Sequence, residues 1–304
     1  MAIEHKQRPT IFGEILFDRF PDGHSVLGGA PFNVAWHLQG FGFSPLMISA
    51  VGNDAGGIEI QDRMQQWGMD CAGIQKSENY PTGEVEVEFS SGEPSYDIRE
   101  NRAYDHIDVN QASDILNKSN GSLLYHGTLA IRSAQSRQTL QKILSIMACA
   151  VFVDINLRPP WWNREQIVTS LSGARWVKLN LEELMIVMDA TNDDDERVAK
   201  TVAASFFEKY DLSLLIVTLG ERGAFLITDE GLVEADPVVG VDVVDTVGAG
   251  DAFSSVMICG LLFEWPLVTT LQRGLAFAAA ICQIQGATSI DRGLYGGFLD
   301  RWQA

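Results

Sequence analysis

The sequence predicts an α/β fold, with a central, mostly parallel sheet, helices on both faces and a small β-sheet set apart as a lid. Two observations carry this. From Leu123 onward, short apolar runs (Leu123–Tyr125, Ala150–Ile155, Ala174–Leu179, Leu214–Thr218) alternate with helical stretches, as buried strands crossed over by helices do. Thr82–Phe89 instead alternates Val85, Val87 and Phe89 with Glu84, Glu86 and Glu88, the period-2 pattern of a strand with one wet face. The 304 residues, 46% apolar and 20% charged, are enough for one large domain with a small appendage and a full-sized core.

The elements follow in order. Thr10–Phe17 reads as a strand. Gly28-Gly29 then opens a helix over Ala30–Leu38, with Phe32, Ala35 and Trp36 on one face. Leu46–Val51 is a second buried strand, ending at Gly52-Asn53-Asp54. After Thr82–Phe89, a Ser-Ser-Gly turn leads to a return strand over Tyr96–Arg102, so the lid is placed at about 15–27 and 82–106 of a single 1–304 domain. Ligands of such sheets sit beyond the carboxyl ends of the strands, which singles out Asp154, Asn156 and Arg158, then Asn180 and Glu183, then Thr218 and Gly220.

Charge narrows the partners. Lys and Arg number 22 against 40 Asp and Glu, a net charge of −18, which disfavours nucleic acid and anionic membrane surfaces. The four cysteines lie far apart without Cys/His ligand spacing, as free thiols of a reducing compartment do. The first residues lack the apolar core of a signal peptide. The longest apolar stretches, Val256–Phe263 and Leu275–Ile284, fall short of the ~20 residues a membrane span requires. The expected location is the cytoplasm.

The chemistry concentrates between Val238 and Phe263. An apolar-alternating stretch ends in Asp245-Thr246-Val247-Gly248-Ala249-Gly250-Asp251, and an apolar helix follows over Ala252–Phe263. Glycines let the backbone turn tightly, and its amides become the unpaired donors of a helix N-terminus, where the dipole also favours an anion. Such an anion hole suits phosphoryl transfer, which is mostly positioning and charge stabilisation. Asp251, on the first turn, either takes a proton from an attacking hydroxyl or merely caps the helix; local physics leaves both open.

Asp-Thr-Val-Gly-Ala-Gly-Asp-Ala-Phe resembles the C-terminal signature of the PfkB (ribokinase-like) carbohydrate kinases, and similarity runs in the same order through nearly the whole chain. The resemblance implies a ribokinase-like fold and ATP-dependent transfer of the γ-phosphate to a sugar hydroxyl. Asp251 is then the base, with Gly248, Ala249 and Gly250 as the anion hole. Gly13-Glu14-Ile15-Leu16-Phe17-Asp18 and Gly28-Gly29-Ala30-Pro31-Phe32-Asn33 resemble fructokinase-like segments, which implies sugar contacts at Asp18, Gly28, Gly29 and Asn33. Val51–Gly57 fits a third segment, in which Asp54 lies near substrate or orders the loop. Asp154, Asn156 and Arg158 match a D-x-N-x-R stretch, which puts Arg158 near the transferred phosphate. Asn180 and Glu183 match an N-x-x-E motif that acts on magnesium through water. Thr218, Gly220 and Gly223, with Gly286 and Ala287, match nucleotide-binding segments.

Many members carry an Asn near the position of Phe277 and a basic residue near that of Gln285, so this chain departs from the pattern there. The implied acceptor is a primary hydroxyl of a small sugar, fructose first. The alternatives are 2-keto-3-deoxygluconate, ribose, a nucleoside, or a sugar-binding regulator without chemistry. The resemblance further implies a homodimer joined through the lid, and leaves open a potassium site at the loop near Asp245. Against other enzyme classes, the chain has no G-x-x-x-x-G-K-[ST], no G-x-G-x-x-G after the first strand, no G-x-S-x-G and no H-E-x-x-H. His37, inside a helix, reads as structural.

Overall fold

A computed structural model describes residues 8–90, 93–119, 121–191 and 195–303. The strands are β1 (Arg8–Phe12), β2 (Leu16–Arg19), β3 (Ser25–Gly28), β4 (Leu46–Gly52), β5 (Ile74–Ser77), β6 (Gly83–Ser90), β7 (Glu93–Ile98), β8 (Gly121–His126), β9 (Ala150–Asp154), β10 (Trp176–Asn180), β11 (Leu214–Thr218), β12 (Ala224–Thr228) and β13 (Gly231–Ala235). The helices are α1 (Ala30–Gly40), α2 (Ala55–Trp67), α3 (Val109–Leu116), α4 (Ala134–Ile146), α5 (Arg164–Leu171), α6 (Leu181–Met188), α7 (Glu196–Lys209), α8 (Ala249–Leu262), α9 (Leu267–Ile281) and α10 (Arg292–Gln303).

Among the described residues, nine strands form one sheet in the order β13-β12-β11-β10-β9-β8-β1-β4-β5. The pairings from β11 through β5 are parallel, and β12 and β13 close the far edge antiparallel. Alternate residues of the strands feed opposite faces. Ile11, Leu123, Phe152 and Ile216 pack with α1, α8, α9 and α10, whereas Phe12 and Leu124 join the cluster of α3 and α4 and Val153 and Leu215 that of α5, α6 and α7. Both faces are covered, which is why the parallel strands read as continuous apolar runs.

The expected strand over Thr10–Phe17 is two strands in two sheets. Backbone pairing with β4 and β8 stops at Phe12, the chain turns through Gly13–Ile15, and β2 pairs with β3 and β6 instead. The sheet of β3-β2-β6-β7 is the expected lid. Its return strand is Glu93–Ile98, earlier than 96–102, and Ala103–His106 is a helical turn whose Ala103 and Tyr104 enter the core. Of the Ser-Ser-Gly turn, Ser90 ends β6, and residues 91 and 92 lie outside the described residues.

Val85 and Val87 are buried within the chain itself, and the wet face is knitted by Arg19–Glu84 and Arg99–Glu86 ion pairs.

Candidate active site

Helix α8 starts from Gly248, whose backbone is left-handed at φ 77°, with no side chain capping the helix. A Cβ on Gly248 would stand 2.4 Å from that of Ala287, so the close approach of the two segments excludes any other residue. The Ala249 amide turns back to the Thr246 carbonyl at 3.3 Å. Those of Gly248, Gly250 and Asp251 have no acceptor among the described residues. The amides left open at the start of α8 are thus those of 248, 250 and 251, while that of Ala249 is turned back into the loop.

Asp251 is not the helix cap that local physics allowed. Its Oδ2 accepts a hydrogen bond from Asn33 Nδ2 at 2.8 Å, joining residues 218 positions apart. Burial raises its pKa to about 6; the Asn33 bond opposes this, Asp154 adds to it, and Lys178 and Arg158 pull back. A carboxylate so poised is ionised at neutral pH yet basic enough to receive a proton.

The sugar-side residues converge on the same spot. An ideal Cβ on Gly28 would lie 3.5 Å from Asp18 Oδ2 and 4.0 Å from Asn33 Oδ1, so both oxygens overlook that glycine. Asn33 is buried and its Oδ1 has no partner among the described residues, an acceptor left over for a ligand. Gly29 caps α1 at φ 108°, and a Cβ there would strike the Glu14 carbonyl at 2.7 Å. Burial raises Asp18 to about 6, with the Arg158 charge opposing. Arg158, exposed just beyond β9, makes no ion pair among the described residues, although its charge reaches Asp18, Glu14 and Asp251.

On the other side, Asp245 ties two loops together: Oδ1 accepts from Val247 N and Oδ2 from Gly286 N, both at 3.0 Å. His37 completes the joint, bonding the Ala287 carbonyl and the Tyr295 hydroxyl at 3.0 Å each. Burial drops its pKa to about 4, so it is the neutral, structural histidine expected. Thr218 and Asn180 are register partners at the carboxyl ends of neighbouring strands. Gly220 is open around its Cα, whereas a Cβ on Gly223 would meet the Ala235 carbonyl at 2.7 Å, a requirement of the β12–β13 hairpin. Phe277 is fully buried against His37 and Phe41, so the departure there alters core packing, while Gln285 is exposed.

Two expected ligand residues turn inward. Asp54 caps α2 through Gly57 N and accepts from both the amide and hydroxyl of Thr82, at 2.8 and 2.6 Å. Burial alone would raise its pKa, but these bonds outweigh it and the net shift is downward. Both its oxygens are thus engaged in tying α2 to the root of β6. Glu183 forms a capping box with Asn180, its Oε2 accepting from Asn180 N and its Oε1 from Leu157 N. With both oxygens held by amides, it faces inward, while Asn180 is exposed at the strand end. Among the described residues no cluster of three or more His, Cys, Asp or Glu could itself cage a metal.

Two buried groups at the site escaped the sequence reading. Glu14 is 3% exposed, has no partner for Oε2 among the described residues, and is raised by burial to about 7. Lys178 lies with Asp154 beneath α8, its Nζ 3.1 Å from both carboxylate oxygens. The signal was present in both cases: a charged residue within or beside an apolar strand demands a partner.

Residues 7–292 match the pfkB family of carbohydrate kinases. The chain belongs to that family. It is 29% identical over 250 residues to a putative sugar kinase of Pyrococcus horikoshii, covering 81% of this chain and 75% of that one. To a fructokinase of Salmonella typhimurium it is 29% identical over 266 residues, 83% of each. The crystal structure of the Pyrococcus sugar kinase in complex with ATP superposes with a TM-score of 0.75 at 25% identity, covering 92% of this chain and 93% of that one. The pfkB architecture expected from the sequence, large sheet and lid together, is the one observed.

Proposed function

We propose that this pfkB-family chain is an ATP-dependent sugar kinase that phosphorylates a primary hydroxyl of a small sugar, with fructose as the first candidate. The observation that carries the reading is the Asn33–Asp251 hydrogen bond, which sets a basic carboxylate beside both the unpaired amides of α8 and the open acceptors over Gly28.

Sugar hydroxyls bind to Asp18 and the Asn33 oxygen. Asp251 takes the proton of the attacking hydroxyl as its oxygen bonds to the γ-phosphorus and the bridging P–O bond to the β-phosphate breaks, releasing ADP. The amides of 248, 250 and 251 hold the charge on the transferring group, and Arg158 neutralises it from the sugar side. Gly286 and Ala287, locked to this loop by Asp245 and His37, form the nucleotide wall with Thr218 and Gly220. Magnesium carried with ATP supplies charge neutralisation of the phosphates. Asn180 would meet its water shell, and Glu183 fixes Asn180 from behind.

Arg158, exposed and without an ion pair among the described residues, favours a second acceptor class, an acidic sugar such as 2-keto-3-deoxygluconate. ADP release coupled to a panel of fructose, ribose, tagatose, 2-keto-3-deoxygluconate and adenosine tests the reading. Turnover on fructose alone is the expected result, and turnover on the acid alone moves the assignment to the second class. ATP binding with no turnover on any acceptor would overturn it.

A further inference from the structure

The strand end beneath α8 carries a group for which the transfer chemistry so far has no use. Lys178 and Asp154 are register partners on β10 and β9, so their side chains leave the same face of the sheet at its carboxyl end. The pair is deeply buried, with side chains 9% and 1% exposed. Asp154 Oδ2 also accepts from Ser254 Oγ at 2.8 Å and from the Tyr125 hydroxyl at 3.2 Å. Ser254 lies on α8, one turn after Asp251, so this carboxylate bolts the helix to the sheet. The ammonium lies against the first turn itself, since an ideal Cβ on Gly250 would be 3.2 Å from Lys178 Nζ.

A cation at a helix N-terminus is misplaced by the rule that governs helix dipoles. Asp154 offsets it, but two of the three ammonium N–H bonds suffice for that, and the third has no acceptor among the described residues. A buried ion pair contributes little to stability over an apolar pair of the same shape, so stability is a poor reason for this one. Its position accounts for it better.

We propose that Lys178, clamped by Asp154 under Gly250, is a positioning residue of the transfer step, acting through the first turn of α8 to place positive charge behind the anion hole and to keep Asp251 ionised. Asp251 is faced by Asn33 from α1, Asp154 and Arg158 from the end of β9, Lys178 from β10, Tyr125 from β8 and Glu14 from the turn after β1. Among these, Lys178 acts to lower its proton affinity and Asp154 to raise it. Lys178 exchanges no proton and forms no bond during transfer. The inference rests on the kinase reading for its kinetic consequence, but its electrostatic consequence is independent of any acceptor.

The test uses the full chain. In wild type, Lys178→Met and Asp154→Asn, the Asp251 carboxyl is titrated by carbon-13 NMR without substrate. Lys178→Met is expected to move its midpoint up and Asp154→Asn to move it down. Opposite signs are a result that a purely structural bolt would not give, and unmoved midpoints overturn the proposal. Should Lys178→Met fail to fold, the charge-neutral pair Lys178→Met with Asp154→Asn leaves no unpaired ion. In the coupled assay that double variant is expected to lose about 10²-fold in kcat with KM for sugar and ATP within twofold, while Lys178→Arg recovers most of it. A double variant that turns over like wild type overturns the role of Lys178 alone. An inactive wild type overturns the kinase reading and leaves the NMR titration to decide on Lys178.

Discussion

Two buried ion pairs, Lys178–Asp154 under α8 and Arg132–Asp105 at the base of the lid, sit at nearly the same depth and do opposite jobs. The second is a staple. Arg132 holds Asp105 through two nitrogens at 2.8 and 2.9 Å, donates to the Arg99 carbonyl and Tyr104 hydroxyl, and lies over the Trp161 ring at 4.6 Å. Its planar fork spends four bonds on fixing one loop geometry, as guanidinium groups do. Lys178 is a point charge with one N–H to spare, set against a glycine and surrounded by carboxylates. The difference teaches that burial alone does not mark a functional charge. Incomplete satisfaction does not mark it either, since Arg132 also keeps a buried nitrogen, Nη1, without a partner among the described residues. What marks Lys178 is its place against Gly250 at the start of α8.

Variants break the comparison in order of effect. Asp251→Asn removes the base and is expected to cut kcat by roughly 10²–10⁴-fold, with sugar binding by calorimetry nearly intact. Near-wild turnover would dissolve the distinction between the two regions. Arg132→Met strands Asp105 and should cost about 3–5 kcal/mol in urea unfolding, while the folded fraction keeps its kcat. If instead it selectively lost kcat, the staple would belong to the site. Thr82→Val removes the hydroxyl that bridges Gly52 N and Asp54 at the lid root, for a loss of about 1–2 kcal/mol and little change in kcat at saturating substrate.

Much of the fold was legible because the parallel strands are buried on both faces and the lid strand on one, and each condition leaves its own period in the sequence. The break at Gly13 was not. Pairing partners change there while the residues stay apolar on both sides, so no periodicity registers the switch between sheets. At the site, Asp251 and the glycine turn could be read because a glycine loop running into an apolar helix has few other uses. Asp54 and Glu183 were ambiguous because a carboxylate that caps a helix looks the same in sequence as one that meets a ligand. Lys178 went unnoticed inside an apolar run, since the Asp154 that neutralises it lies 24 residues away along the chain.

The most direct measurement of the central claim is kcat/KM for the sugar acceptor against pH, with each sample returned to pH 7.5 to confirm that activity recovers. Asp251 and Asp18 are both raised to about 6 by burial, so each is ionised above that pH and takes up a proton below it. Activity should therefore level off above about pH 7, be down to about a quarter at pH 6, where each group is half protonated, and fall below that by more than tenfold per pH unit as both protons bind. A profile flat from pH 8 down to pH 5 would mean that no buried carboxylate acts as the base, and would contradict the account.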